Sequence, residues 1–135
     1  VFTGCDDYLD VNTPSDAQNV DDLDMKDIMG PVMLNTIYGN YYAEVSFGNY
    51  TQYFGSYGSG AAGVASASST WSNIYTRVLP NITVIESKAN AQGAKHYEAV
   101  AKILESINMS FAVESWDNVP YEQATQPFEY PNPEL

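Results

Sequence analysis

Two apolar stripes at helical spacing, joined by a short turn, constrain this chain more than anything else in it. Trp71, Ile74, Tyr75, Val78, Leu79, Ile82 and Ile85 fall on one face of a helix that runs to about Ala89. Asn90-Ala91-Gln92-Gly93 supplies a turn, with glycine where a helix ends well. Tyr97, Val100, Ala101, Leu104, Ile107, Asn108 and Phe111 then form a second stripe, with Glu98 and Lys102 four apart along it. So short a connection makes the two helices antiparallel neighbours. Ser69 or Thr70 is placed to cap the first helix. Pro80 lies inside it, which removes a hydrogen bond and costs about 3 kcal/mol, so a bend near Asn81 is expected. Burying one such apolar side chain contributes about 1.5 to 3 kcal/mol, and ordering one residue costs about 1 to 2. Two helices alone are therefore marginal, and others must cover them.

A candidate for that cover precedes the hairpin. From about Ile28 to Tyr57 apolar and aromatic residues recur at helical spacing, among them Val32, Leu34, Ile37, Tyr38, Tyr41, Tyr42 and Val45. This reads as one long or broken helix, with Pro31 in its first turn and Gly39 and Gly48 as bends. A row of exposed tyrosines would suit a sugar platform, ring face to C–H groups and hydroxyl to hydrogen bonds. The same spacing is what a buried helix face requires, and packing is the expected role. Between Gly55 and Ser69 small residues without period predict a flexible loop. The fold class is all-α, and the hairpin loosely resembles a tetratricopeptide repeat, with Trp and Tyr early in its first helix and Ala101 in its second.

Charge narrows the partners. The chain has 17 acids against 5 bases, a net charge of −12, and Lys26, Arg77, Lys88, Lys95 and Lys102 are scattered singly. Nucleic acid demands clustered bases and is excluded as a partner; neutral, polar or cationic ligands fit better. One cysteine allows neither an intramolecular disulfide nor a cysteine-based zinc site. No stretch approaches the ~20 apolar residues of a membrane helix. That cysteine stands in Val1-Phe2-Thr3-Gly4-Cys5-Asp6-Asp7, which reads like the end of a bacterial lipoprotein signal peptide, with Cys5 acylated as the first mature residue. The plain alternative is an ordinary free cysteine. Acids from Asp6 to Asp27 form a solvated leader, whose spacing does not match the helix-loop-helix calcium pattern.

After the hairpin comes Glu114-Ser115-Trp116-Asp117-Asn118-Val119-Pro120-Tyr121-Glu122-Gln123-Ala124. Pro120 forces Val119 extended and ends the helix. This segment resembles the tryptophan-glycine-aspartate-valine-proline-tyrosine-serine-glutamate-alanine signature of the SusD/RagB family through Trp116, Val119, Pro120, Tyr121 and Ala124. Trp71-Ser72-Asn73-Ile74-Tyr75 resembles that family's preceding helix, and Gly4-Cys5-Asp6-Asp7 resembles its lipobox. Two departures stand out: Asp117-Asn118 replaces Gly-Asp, and Glu122-Gln123 replaces Ser-Glu.

The resemblance implies a division into signal remnant 1–4, lipidated acidic leader 5–27 and helical part 28–135. The chain would be the N-terminal fragment of a larger SusD-like α fold. It implies a cell-surface lipoprotein of the bacterial outer membrane, lipid-anchored and facing outward. Such a protein binds an oligosaccharide or other nutrient without catalysis and serves as lid of a TonB-dependent outer-membrane transporter. The structural signature residues are Trp71, Tyr75, Trp116, Val119, Pro120, Tyr121 and Ala124; Cys5 is the lipidation site, and no ligand-contacting residue, metal or cofactor is assigned. Two other classes stay open. One is a glycoside hydrolase using a pair among Asp117, Glu122 and Glu129, or less simply the sole histidine, His96. The other is a structural or adhesive lipoprotein that uses the helices for protein contacts.

Overall fold

The computed structural model describes residues 19–53 and 67–134. Among them every regular element is helical: a single 3-10 turn Val20–Asp22, α1 (Met25–Tyr50), α2 (Ser68–Asn73), a π-helical segment Ile74–Val78, α3 (Leu79–Gln92) and α4 (Lys95–Trp116). The all-α expectation holds.

The first helix begins at Met25, so Pro31 lies inside it rather than in its first turn. Met25, Ile28, Met29 and Val32 are buried at its start, and beyond them only Thr36, Gly39, Ala43 and Ser46 are. The expected packing role of the tyrosines is therefore corrected: Tyr38, Tyr41 and Tyr42 are exposed, as are Leu34, Ile37 and Val45. The reason is the closeness of the next rod. A Cβ added at Gly39 would stand 3.3 Å from Asn73 Nδ2, so the face that meets α2 admits only small side chains and the rings turn outward.

The second rod is continuous from α2 through α3, because every joining residue keeps right-handed helical dihedrals. The expected bend at Pro80 takes the form of a π-helical turn just before it. Leu79 N–H reaches back to Ile74 O, five residues away, and Pro80 then stands at the restart of the α register, where its missing N–H costs least. Asn81 Nδ2 donates to Arg77 O at 2.7 Å in the same turn. The start also differs from expectation: Ala67 is the N-cap, neither Ser69 nor Thr70 caps, and Thr70 is instead buried with its hydroxyl toward Gly39 O at 3.5 Å.

Gly93 closes α3 in the left-handed conformation, φ 66°, and Ala94 N–H bonds to Ala89 O at 2.9 Å. The antiparallel hairpin with α4 follows. Ile28, Met29 and Val32 of α1 meet Val78, Ile82, Ile85 and Ala101 in one apolar cluster; Ile74, Leu79 and Ala112 centre a second, with Trp116 and Val119 against it. Along α4 the residue between them is Asn108, fully buried, whose Nδ2 donates to Thr36 Oγ1 and to Leu104 O, both at 2.8 Å. Asn73 Nδ2 donates to Asn35 O nearby on α1. Three rods are thus pinned by a buried amide layer with an apolar cluster on either side.

Candidate functional site

The residues quoted for the signature come from the start of the second rod and from the end of α4, and packing brings most of them together. Trp71 meets Trp116 edge-on, ring centroids 5.1 Å apart at 89°, and lies 4.4 Å from the Tyr75 ring. The Tyr75 hydroxyl donates to Pro120 O at 2.8 Å. Pro120 is buried and Val119 packs on the Ile74, Leu79 and Ala112 cluster. Trp71, Tyr75, Trp116, Val119 and Pro120 therefore form one joint. Tyr121 and Ala124 stand past it: Tyr121 is half exposed, and Ala124 N–H bonds to Tyr121 O at 3.2 Å in the next turn. Asp117 ends α4 with φ 66° and ψ −83°, at the position where the resembled signature carries glycine. The joint holds no nucleophile and no acid–base pair; its chemistry is packing and one hydrogen bond.

Beyond the joint, a pocket of about 240 Å³ is lined by Leu79, Thr83, Glu105, Tyr121, Glu122 and Thr125. Burial, and then the Glu105 carboxylate, pushes the Tyr121 hydroxyl above its ordinary pKa. Glu86 is raised likewise, first by burial and then by Glu105, and its Oε1 is buried without a hydrogen-bond partner among the described residues. Of the acids considered for hydrolysis only Glu122 lines this pocket; Asp117 and Glu129 do not. His96 is exposed in the first turn of α4. No group of three or more metal-ligating side chains occurs among the described residues. Cys5 lies outside them, and no helix among them is long and apolar enough to cross a membrane.

Sequence reasoning overlooked a larger pocket, about 360 Å³, between α1 and the start of the second rod. It is lined by Tyr42, Ser68, Ser69, Ser72, Asn73 and Arg77. The signal was available as polar residues four apart, Ser68 with Ser72 and Ser69 with Asn73 and Arg77, along a helix whose other face is apolar. Tyr42 stacks with Tyr38, centroids 6.3 Å apart at 23°, so its ring belongs to a row along α1. Among the described residues its lining offers hydroxyls, an amide, an aromatic ring and one cation, and no carboxylate.

No curated protein and no solved structure matches the chain. The SusD-like family model described as "Starch-binding associating with outer membrane" matches residues 17–134, which takes in every described helix and the whole joint. On that match, the chain belongs to the SusD-like family.

Proposed function

We propose that this protein is a glycan- or nutrient-binding lipoprotein of the bacterial cell surface, which holds its ligand without chemical change as the lid of a TonB-dependent outer-membrane transporter. Membership of a family described as starch-binding and outer-membrane associating carries this reading. Cys5, acylated after removal of residues 1–4, is the proposed tether, and two or three acyl chains suffice for stable anchoring where one does not. Residues 5–27 serve as the acidic leader and 28–135 as the helical part of the domain. Work of this kind needs no covalent step, only a difference in ligand affinity between open and closed states of the lid.

The exposed apolar row on α1 supports a second component of the reading, contact with another protein surface, the transporter foremost. It also suits the alternative of a purely structural or adhesive lipoprotein. One set of experiments on the full-length protein separates them. Calorimetry against an oligosaccharide library is expected to find a ligand, and affinity purification from outer membranes is expected to bring down a transporter. Neither result appearing would leave only the structural role. Metabolic labelling with a fatty-acid analogue is expected to tag the precursor and not its Cys5→Ala form; equal labelling of both would discard the tether. Turnover of an oligosaccharide that is lost on Glu122→Gln would replace binding with hydrolysis.

A further inference from the structure

The unaccounted feature of this molecule is the one arginine. Of the five basic residues, Lys26 pairs with Asp24 at 2.9 Å, Lys95 and Lys102 both pair with Glu98, and Lys88 donates to Leu23 O at 2.9 Å. The Arg77 guanidinium alone has no ion pair or hydrogen bond among the described residues, although acids outnumber bases 17 to 5. Arg77 lines the 360 Å³ pocket, whose other lining residues among the described ones carry no charge. A site of that volume is within the roughly 300 to 1,000 Å³ typical of small-ligand pockets.

The remaining walls restrict what fits. Asn73 is 3% exposed and its amide is fixed by Asn35 O, so one wall is rigid and polar. Ser69 and Ser72 add hydroxyls that both donate and accept. Tyr42 contributes an aromatic ring, held in register by its stacking on Tyr38. Flat ring, hydroxyl wall and guanidinium fork together match a pyranose bearing a carboxylate: ring C–H groups against Tyr42, hydroxyls against the serines, and the carboxylate bidentate on Arg77. The protein's overall negative charge does not forbid this, because exposed charges farther than about 8 Å are screened at physiological salt while Arg77 acts in contact.

We infer that this pocket is a binding site for an acidic sugar unit, with Arg77 as its carboxylate receptor and Tyr42 as its stacking surface. The inference rests on the glycan-binding reading and narrows it from sugars in general to carboxylated ones.

The test is calorimetry of the full-length protein with matched probes: an oligogalacturonide against its methyl ester, and sialyllactose against lactose. At least one acidic probe is expected to bind more tightly than its neutral partner. Arg77→Gln is expected to weaken that probe by about 10- to 100-fold, the size of one hydrogen-bonded contact to a charged group, and to leave the neutral partner unaffected. Arg77→Lys is expected to restore part of the loss, and Tyr42→Ala to weaken acidic and neutral members alike. Because Arg77 is exposed and unpaired, the thermal melt of Arg77→Gln serves as the control for folding and is expected to be unchanged. Equal binding within each pair, or acidic binding that survives Arg77→Gln, would overturn the acidic-sugar site while leaving glycan binding intact. Absence of binding by all four probes together with a wider neutral library would remove both.

Discussion

The hydroxyl of Tyr75 donates to the carbonyl of Pro120 at 2.8 Å, a bond between residues 45 apart that ties the second rod to the turn after α4. Around it Trp71 and Trp116 meet edge to face, and Val119 enters the apolar cluster behind. The turn is thereby held against the helices by a side chain rather than by regular backbone bonding.

Tyr75→Phe isolates that bond, since it keeps the ring and removes only the donor. The buried Pro120 carbonyl then loses its partner, for an expected loss of about 1 to 2 kcal/mol in denaturant unfolding. Amide exchange in residues 119–124 is expected to speed up, while exchange in α3 stays as it was. Unchanged exchange in the turn would show that packing alone holds it.

Asp117 tests the other side of the joint. Its φ of 66° and ψ of −83° belong to a region that costs a residue with a side chain about 1 to 3 kcal/mol. Asp117→Gly is expected to raise unfolding free energy by about 1 kcal/mol, the released strain less the greater entropy lost by glycine on folding. Asp117→Val is expected to lower it, as a β-branched residue suits this conformation worst. The comparison is read from chemical denaturation of the three proteins side by side.

The amide layer makes a prediction about coupling. Thr36 Oγ1 accepts from Asn108 Nδ2 and itself donates to Val32 O at 2.9 Å. Thr36→Val leaves one buried N–H of Asn108 without a partner, at an expected cost of about 1 to 3 kcal/mol. Adding Asn108→Leu removes the stranded donor, so the double variant is expected to lose less than the sum of the two single ones. A double-mutant cycle that comes out additive would mean the bond contributes nothing.

Two glutamates give opposite pH signatures. Burial and Glu105 raise Glu86 above 4.5, so the folded protein holds that proton more tightly than the unfolded chain does. Its ionisation opposes folding at neutral pH, and the penalty disappears as pH falls through the folded value toward 4.5. Glu86→Gln is therefore expected to stabilise at pH 7 and to make little difference near pH 4. Glu98 is the reverse: hydrogen bonds from Lys102 and Lys95 hold its carboxyl down at about 2. Its contribution is complete above 4.5 and lost as pH falls from there to about 2, so Glu98→Gln is expected to destabilise at pH 7 and to match the parent at pH 2. The effect is small, because both lysines are largely exposed. Thermal melts at pH 7, 4 and 2 check both signs.

Much of the architecture was legible because it is written in local spacing. The stripe from Trp71 to Ile85, the left-handed cap at Gly93 and the stripe from Tyr97 to Phe111 each depend on residues within a few turns of one another, and the hairpin follows. The joint was legible only as a motif: spacing makes Trp71 and Tyr75 neighbours on one helix face, but nothing in it says that this pair meets Trp116 and Pro120. Along α1 local spacing misled. Apolar period alone put the tyrosines inside, whereas Gly39, Ala43 and Ser46 hold the buried face because the second rod comes close enough to exclude a ring.

By itself, then, the order of residues determined that the chain is helical, where the hairpin turns, and to which family it belongs. Each of these is a property of neighbours along the chain or of a contiguous motif. Only the packed molecule decided which face of α1 is buried, how Pro80 is relieved by a π-helical turn, and that Arg77, Tyr42 and three serines share one pocket. Those outcomes depend on distances between rods. Such distances are set by the smallest side chains at a contact, a quantity that hydrophobic periodicity does not record.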